Sequence, residues 1–279
     1  MGELLVDKML HMIGHFREEK EAGAAISRKL QTDSLGRKLL YLTECTSTND
    51  VAKKVALEST NHGFTIIANS QTNGRGRNGR RWESPKGGIW MTVILRPPFG
   101  SSTLQGLPLI GAVSIANSIR SQLTIDARLR WPNDIMVSGR KLAGTNAESH
   151  WRGDSLQFVL LGMGVNANFN ATAITEASTT ATTLLDIHRT PIDRTILTCL
   201  ILQELERLLS MAERSEEKLL TLIRTIDCST GSKVRVQLSH GMINGVFKDY
   251  ISTIAVRISS RTETVTVETS SALLVDYET

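Results

Sequence analysis

A glycine- and arginine-rich segment, residues 71–90, carries the side chains best suited to chemistry in this 279-residue chain. It reads Gln-Thr-Asn-Gly-Arg-Gly-Arg-Asn-Gly-Arg-Arg-Trp-Glu-Ser-Pro-Lys-Gly-Gly-Ile-Trp. Glycines let backbone N–H groups approach a ligand, guanidinium groups grip phosphate or carboxylate in two places, and an indole can stack on a base. Because apolar runs typical of strands flank the segment, we expect a loop that closes over a phosphate-bearing small molecule. A flexible Arg-Gly tether for nucleic acid is the alternative.

The composition limits the classes of protein to which the chain can belong. With 279 residues and 41% apolar content, it can form one large domain and a small companion. The net charge of +4 owes much to the four arginines of the loop, which does not favour a broad nucleic-acid surface. The three cysteines form no Cys-x-x-Cys pair, which favours a reduced setting. No apolar run is long enough to span a bilayer and no signal peptide is evident, so a cytoplasmic protein without a membrane partner is expected.

The elements that must position the loop follow from the spacing of apolar residues. A helix over residues 48–57 is expected to be capped at Thr46 or Ser47, and another to run from a cap at Asp193 to about residue 213. Further helical patterns cover residues 3–30, 107–123 and 216–226, and strand patterns cover 38–41, 65–68, 89–95, 128–131, 134–138, 141–147 and 158–165, with 170–183 as a loop.

After Gly231 the apolar period changes to two, which predicts a small antiparallel barrel or sandwich. The strand–hairpin–strand pattern over residues 128–165 favours antiparallel pairing there as well. The predicted fold class is therefore α/β or α+β, with a mixed, mainly antiparallel sheet backed by helices, followed by a small all-β domain. The predicted boundaries are residues 1–36 for an N-terminal helical segment, 37–228 for the main domain and 229–279 for the small one.

Two short polar segments place hydrogen-bonding groups at the ends of predicted elements. Residues 47–49, Ser-Thr-Asn, lie at a strand-to-helix junction, where backbone donors converge, although plain N-capping would also explain them. Pro132 forces Trp131 to be extended, so Asn133 and Asp134 emerge at the end of a strand. An amide and a carboxylate together suit magnesium–phosphate coordination, and an ordinary turn is the alternative.

A lysine and a glycine-rich strand end complete the set of candidate residues. Lys141 lies beside a hairpin turn and can reach a phosphate as a point charge, although such a lysine is often solvated. Gly162 and Gly164 allow a ligand or another backbone to come close, and Asn166 adds an uncharged hydrogen-bonding group. This Gly-x-Gly lacks the third glycine of a dinucleotide fingerprint.

The order and spacing of these motifs carry more information than any one of them. Ser-Thr-Asn, Gly-Arg-Gly-Arg-x-Gly-Arg-x-Trp, Trp-Pro-Asn-Asp, Lys-Leu-Ala-Gly and Gly-x-Gly-x-Asn follow one another through the chain. Over residues 37–170 this series resembles the catalytic domain of biotin protein ligases, and residues 229–279 are more loosely similar to the SH3-like C-terminal domain of that family. The resemblance implies a class II synthetase-like catalytic domain followed by an SH3-like barrel.

The resemblance also implies an activity in two half-reactions. The carboxylate of biotin attacks the α-phosphorus of ATP, and the resulting biotinyl-5′-AMP then biotinylates a lysine of a biotin carboxyl carrier domain. ATP, biotin and Mg²⁺ are therefore the expected small molecules, and a homodimer is expected from relatives. Many relatives carry an N-terminal winged helix that binds an operator. Residues 1–36 are too short for one, so no DNA binding is expected.

Carried over residue by residue, the resemblance implies three overlapping groups of site residues. The catalytic residues are Lys141, Arg77 and Asp134, of which Asp134 would also serve magnesium indirectly. Residues expected at biotin are Ser47, Thr48, Asn49, Gln71, Gly74, Arg75, Arg77, Lys141, Gly144, Gly162 and Gly164. Residues expected at ATP are Arg77, Arg80, Trp82, Asn133, Asp134, Lys141 and Asn166.

The chain departs from the family pattern at two places. Arg130 stands where the family more often has lysine, and residues 145–146, Thr-Asn, stand where apolar residues are usual. The second departure predicts a more polar wall of the biotin pocket or a shifted strand register. Three other functions remain as alternatives: a lipoate–protein ligase, a non-catalytic nucleic-acid-binding protein, and a degenerate ligase retained for binding. The complete loop ending in Trp82 and the Trp-Pro-Asn-Asp segment favour biotin over lipoate.

Overall fold

A computed structural model of the chain describes residues 19–58, 61–98, 100–175, 180–260 and 262–278. Helix α1 spans Lys20–Lys29, which confirms the last third of the helical pattern predicted over residues 3–30. The earlier part of that pattern, through residue 18, lies outside the described residues, as do residues 176–179 of the predicted loop.

A seven-stranded sheet forms the centre of the molecule, in the order β1-β2-β3-β7-β6-β5-β4. Strands β1 and β2 are parallel and all other neighbours are antiparallel, which confirms the predicted mixed, mainly antiparallel sheet. The strands are β1 Leu39–Leu42, β2 Thr65–Ala68, β3 Ile89–Leu95, β4 Arg128–Arg130, β5 Asp134–Val137, β6 Arg140–Arg152 and β7 Ser155–Val165.

Helices cover both faces of this sheet. Helix α2, Thr48–Glu58, packs Val51 and Val55 against Ile66 and Ile94 on one face. Helix α3, Ser101–Leu123, covers the opposite face. Every residue of β3 is buried, as expected for a strand enclosed on both sides. The remaining helices are α4 Leu184–His188, α5 Arg194–Arg214 and α6 Glu216–Ile226.

The C-terminal part forms a second, wholly antiparallel sheet of five strands, in the order β11-β10-β9-β8-β12. Alternate residues such as Val234, Val236 and Ile258 are buried, which confirms the predicted period of two. Its strands are β8 Lys233–Leu238, β9 Gly241–Tyr250, β10 Ala255–Ser259, β11 Thr264–Glu268 and β12 Leu274–Tyr277.

Most differences from the predicted elements concern their ends. Helix α3 begins at Ser101 rather than residue 107 and passes through Pro108. Strand β6 extends to Arg152 rather than residue 147 because its backbone stays paired with β7 up to Arg152 and Ser155. The Asp193 cap is confirmed, since its carboxylate accepts the Ile196 N–H at 3.1 Å. Within the described part of the chain, no helix combines the length and apolar character needed to cross a membrane.

Candidate active site

Three glycines on one face of the central sheet form the floor of the site. Strand pairing places Gly144 beside Gly164, and Gly162 beside Thr92 of β3. A Cβ atom added to Gly164 would lie 2.8 Å from Trp82 Nε1, and one added to Gly162 would lie 2.8 Å from Asn49 Oδ1. The missing side chains therefore make room for the Trp82 indole and the Asn49 amide. We call Gly144, Gly162 and Gly164 the glycine floor.

The glycine- and arginine-rich loop folds back on itself above this floor. Gly76 N–H donates to Arg80 O at 2.8 Å, and Trp82 N–H donates to Gly74 O at 2.9 Å. A short 3₁₀ turn, Arg77–Gly79, forms the tip, with Asn78 at a φ of 56°. A Cβ atom on Gly74 would lie 2.4 Å from Trp82 O, so a glycine is required there by the closure of the loop itself.

The N-terminus of α2 is tied to the same loop. Gln71 Oε1 accepts the Thr48 N–H at 2.7 Å and the Thr48 hydroxyl at 3.1 Å, and Gln71 Nε2 donates to Ser84 Oγ at 2.7 Å. Ser47 Oγ accepts the Asn49 N–H at 3.3 Å, which places the predicted cap at Ser47. Gln71 thus satisfies a helix-terminal donor and holds α2 and the loop in register.

An ion pair fastens one side of the loop to α2. The Arg75 guanidinium donates to both carboxylate oxygens of Asp50, at 2.6 and 3.0 Å. This bond to Arg75 lowers the pKa of Asp50, although partial burial acts in the opposite direction. The Arg75 and Asp50 side chains are 30% and 38% exposed, so water screens the attraction between them and the pair adds little to the stability of the fold. Its main effect is to orient the Arg75 guanidinium through two hydrogen bonds.

The tip of the loop contacts the turn that joins β11 to β12 in the second sheet. Arg77 Nη2 donates to the carbonyl oxygens of Ala272 at 2.7 Å and Thr269 at 3.2 Å. Burial lowers the pKa of Arg77. The amide of Asn78 donates to Leu273 O beside these two bonds. The turn between β11 and β12 therefore holds the arginine at the centre of the loop motif.

A carboxylate between two cations forms the third part of the site. Asp134 Oδ1 lies 2.5 Å from Lys141 Nζ, and Asp134 Oδ2 lies 3.1 Å from Arg130 Nη2. Burial raises the pKa of Asp134, but the two cations outweigh it and the pKa is lowered overall. Lys141 Nζ also lies 5.1 Å from the ring centroid of Trp82, within the range of a cation–π contact.

These parts enclose one cavity of about 160 Å³. Two predicted residues do not line it: Gly74, which serves loop closure, and Asn166, whose Nδ2 donates to Thr182 O at 3.1 Å. Their roles toward a ligand remain predictions. The predicted residues that do line the cavity are Ser47, Thr48, Asn49, Gln71, Arg75, Arg77, Arg80, Trp82, Asn133, Asp134, Lys141, Gly144, Gly162 and Gly164.

The two residues that depart from the family pattern face opposite sides of β6. Thr145 is among the residues that line the cavity, and its Oγ1 donates to Pro108 O of α3 at 2.6 Å. Asn146 lines the cavity, and its Nδ2 lies 3.4 Å from Glu148 Oε1, which also accepts from Asn49 Nδ2 at 2.7 Å. The wall is therefore polar at Asn146, and the pairing of β6 with β7 continues through this region without a shift.

Sequence reasoning missed the wall contributed by the second sheet. Val275 and Tyr277 of β12 line the cavity together with the central-sheet residues. Tyr277 OH donates to Trp131 O at 2.7 Å, which joins residues separated by 146 positions. The alternating pattern of β12 predicts a strand, but no local signal in it indicates which neighbour the strand meets.

The described residues contain no group of three or more His, Cys, Asp or Glu side chains that could hold a metal ion. Asp134 is a single carboxylate, and both of its oxygens already contact cations. These residues do not form a protein cage for a divalent ion. They fit only an ion that brings most of its own oxygen ligands.

Comparisons with known proteins agree with this geometry. The model of the Biotin/lipoate A/B protein ligase family matches residues 40–166. The bifunctional ligase/repressor BirA of Bacillus spizizenii is 36% identical over 140 residues, and the chain covers 43% of its length. A biotin protein ligase structure from Aquifex aeolicus matches with a TM-score of 0.74 and 24% identity, over 87% of this chain and 100% of that one.

One relative matches over most of its length. The biotin–acetyl-CoA-carboxylase ligase of Mycobacterium tuberculosis is 31% identical over 220 residues, which cover 76% of this chain and 80% of that protein. The matched length is greater than that of residues 37–170, which contain the loop and strand motifs. The chain belongs to the biotin protein ligase family.

Proposed function

We propose that this chain activates biotin with ATP and transfers it to a lysine of a biotin carboxyl carrier domain. The proposal rests on the cavity in which the arginine-rich loop, the glycine floor and the Asp134–Lys141 pair meet. The Aquifex aeolicus structure is described as a complex with biotin and ATP, and a Leishmania major biotin protein ligase as a complex with biotinyl-5-AMP. Both names support the same pair of substrates here.

In the first step a biotin carboxylate oxygen attacks the α-phosphorus of ATP, and pyrophosphate leaves with the electrons of the broken bond. Both reactants are anions, so fixed cations must hold them together and stabilise the charge that spreads over phosphorus. Arg80 and Lys141 line the cavity and supply such charges. The two described bonds of Arg77 use only Nη2, which leaves Nε and Nη1 to meet an anion.

Magnesium would arrive at the site as the complex with ATP. It neutralises phosphate charge, and the triphosphate and water supply its oxygen ligands. Asp134 serves the ion indirectly, through water, since its two oxygens are engaged by Lys141 and Arg130.

The uncharged groups near the start of α2 suit the biotin ring system. Thr92 Oγ1 donates to Asn49 Oδ1 at 2.5 Å, and Thr48 and Gln71 lie beside them on the cavity wall. A cyclic urea offers N–H donors and a carbonyl acceptor, which such groups match without a net charge. Arg75, held by Asp50, and the loop backbone at Gly74 complete the biotin side of the proposal.

Arg80, Asn133 and Asp134 line the cavity and, with the Trp82 indole, form the nucleotide side of the proposal. The glycine floor stays assigned to biotin. Trp82 Nε1 is buried without a hydrogen-bond partner among the described residues, so packing holds the ring, whose face is suited to stack on adenine. Asn166 completes this set as a prediction.

In the second step the ε-amine of the carrier lysine attacks the carbonyl carbon of the mixed anhydride, and AMP leaves. The folded loop keeps water from the labile anhydride until the carrier arrives. We extend the proposal to a cytoplasmic enzyme, a catalytic domain over residues 37–228, a C-terminal domain over residues 229–279, and a homodimer.

Exchange of labelled pyrophosphate into ATP, with biotin and with lipoate in parallel, tests the first step. We expect biotin-dependent exchange and none with lipoate, because the loop and the Trp-Pro-Asn-Asp segment are complete. Exchange with lipoate alone would transfer the proposal to the lipoate branch of the family. Exchange with neither, from a folded protein, would contradict it and favour binding of nucleic acid by the loop.

A further inference from the structure

The last strand of the second sheet reaches the active-site carboxylate through a tyrosine and an arginine. The guanidinium carbon of Arg130 lies 5.1 Å from the ring centroid of Tyr277, and Arg130 Nη2 lies 3.1 Å from Asp134 Oδ2. Asp134 Oδ1 in turn lies 2.5 Å from Lys141 Nζ. A continuous series of contacts therefore joins β12 to the lysine that faces the cavity.

The tyrosine hydroxyl fixes the backbone of the same segment. Tyr277 OH donates to Trp131 O at 2.7 Å and lies 3.2 Å from Ser229 Oγ, while Ser229 Oγ accepts the Trp131 N–H at 2.7 Å. The Trp131 indole donates to Thr269 Oγ1 at 3.1 Å, and its side chain is buried. Both backbone polar groups of Trp131 are thus held just before Asp134.

We propose that Tyr277 and Arg130 act as a positioning pair that orients the Asp134 carboxylate, and through it Lys141, for the nucleotide half of the reaction. A guanidinium can stack on an aromatic face and donate in its own plane at once. A lysine at position 130 would supply the positive charge, but its ammonium group has no flat face to stack on the Tyr277 ring. With Oδ2 held by Arg130, Asp134 has only Oδ1 for Lys141, so the amine stays directed into the cavity.

This inference rests on the proposed function, and it predicts a selective effect on ATP. In pyrophosphate exchange at saturating biotin, Tyr277→Leu and Arg130→Lys should each lower kcat/KM for ATP by about tenfold. Tyr277→Phe keeps the ring and should lose less. The affinity for biotin, measured by calorimetry, should change by less than about twofold, because the described contacts of the two side chains are with Trp131, Asp134, Ser229 and each other rather than with α2.

Tyr250 offers a matched control in the same sheet. Its hydroxyl donates to Asp227 Oδ1 at 2.8 Å, and its ring contacts Phe247 with the centroids 5.2 Å apart. Tyr250→Phe removes a comparable hydrogen bond from the same cluster around Ser229 but keeps the Tyr277 ring that stacks on Arg130. It should leave kcat/KM for ATP within about twofold of the wild-type value.

A double-mutant cycle distinguishes positioning from general destabilisation of the second sheet. If Tyr277 acts through Arg130, adding Tyr277→Leu to Arg130→Lys should cost no further activity. Additive losses, or an Arg130→Lys enzyme within about twofold of wild type, would overturn the inference. Arg130→Lys leaves the second sheet unchanged, so this result stands even if Tyr277→Leu does not fold. A folded wild-type protein without biotin-dependent exchange would overturn the proposed function and this inference with it.

Discussion

Replacing Lys141 with methionine removes one positive charge from the cavity but keeps a long, flexible side chain. Lys141 Nζ lies 2.5 Å from Asp134 Oδ1 and 5.1 Å from the Trp82 ring centroid. After the substitution Arg130 still contacts the Asp134 carboxylate. The cavity, however, loses a cation from the place where the biotin carboxylate and the α-phosphate would meet.

The expected magnitude follows from these distances. Unit charges 2.5 Å apart attract by about 7 kcal/mol at an effective dielectric constant of about 20. Loss of solvation offsets most of this, so we expect the free energy of unfolding to fall by only about 1–3 kcal/mol. A fixed cation that faces developing charge contributes about 3–4 kcal/mol to transition-state stabilisation, so adenylate formation should slow by about 10²- to 10³-fold.

Rapid-quench measurement of biotinyl-adenylate formation tests this prediction directly. Lys141→Arg, which keeps the charge in another shape, serves as the control and should retain intermediate activity. Circular dichroism and thermal unfolding verify that both variants are folded. A Lys141→Met enzyme that forms adenylate within about fivefold of the wild-type rate would refute the electrostatic role of this lysine.

Three further substitutions test the biotin side, the loop and the fold. In Gly162→Ala the new Cβ would lie 2.8 Å from Asn49 Oδ1, so KM for biotin should rise about tenfold while KM for ATP stays unchanged. Equal changes in the two KM values would contradict the assignment of Gly162 to the biotin side. Asp50→Asn breaks the two-bond pair with Arg75, so trypsin should cleave the loop several-fold faster, and unchanged cleavage would argue against this anchor. Burial raises the pKa of Glu206, but bonds from three successive backbone N–H groups outweigh it and lower the pKa below its usual 4.5. The stability that these bonds supply is present above pH 4.5 and is lost as the pH falls through the lowered pKa. At pH 7 the free energy of unfolding of Glu206→Gln should therefore be about 1–2 kcal/mol lower than that of the wild type, and below pH 4.5 it should change less with pH. Parallel pH profiles of the two proteins would contradict this sign.

Local patterns in the sequence predicted much of the fold. Strands Thr65–Ala68 and Ile89–Leu95 and helix Glu216–Ile226 have the bounds that their apolar spacing predicts. Each has a local signal at one end: the glycine- and arginine-rich loop follows Ala68, two prolines follow Leu95 and Arg96, and two glutamates begin the helix. The predicted end of β6 and the predicted start of α3 were wrong. Strand β6 continues by backbone pairing with β7, and α3 begins earlier and runs through Pro108.

The candidate site was predictable as a set of residues but not as an arrangement. Most predicted residues line one cavity, because the motifs lie at strand ends and on a loop over one face of the sheet. The contact of Arg77 with Ala272 O, and the stack of Arg130 on Tyr277, depend on how the second sheet docks. Docking is determined by the packing of distant surfaces, so periodicity within either segment carries no signal for it.

We propose above all that this chain makes biotinyl-5′-AMP and passes biotin to a carrier lysine. The most direct test incubates the purified protein with biotin and MgATP, identifies the bound nucleotide by mass spectrometry, and then adds a biotin carboxyl carrier domain. We predict that biotinyl-5′-AMP accumulates on the protein, and that it disappears as the carrier gains one biotin and AMP is released. Failure of the wild-type protein to form the adenylate, or an adenylate that the carrier does not consume, would contradict the account.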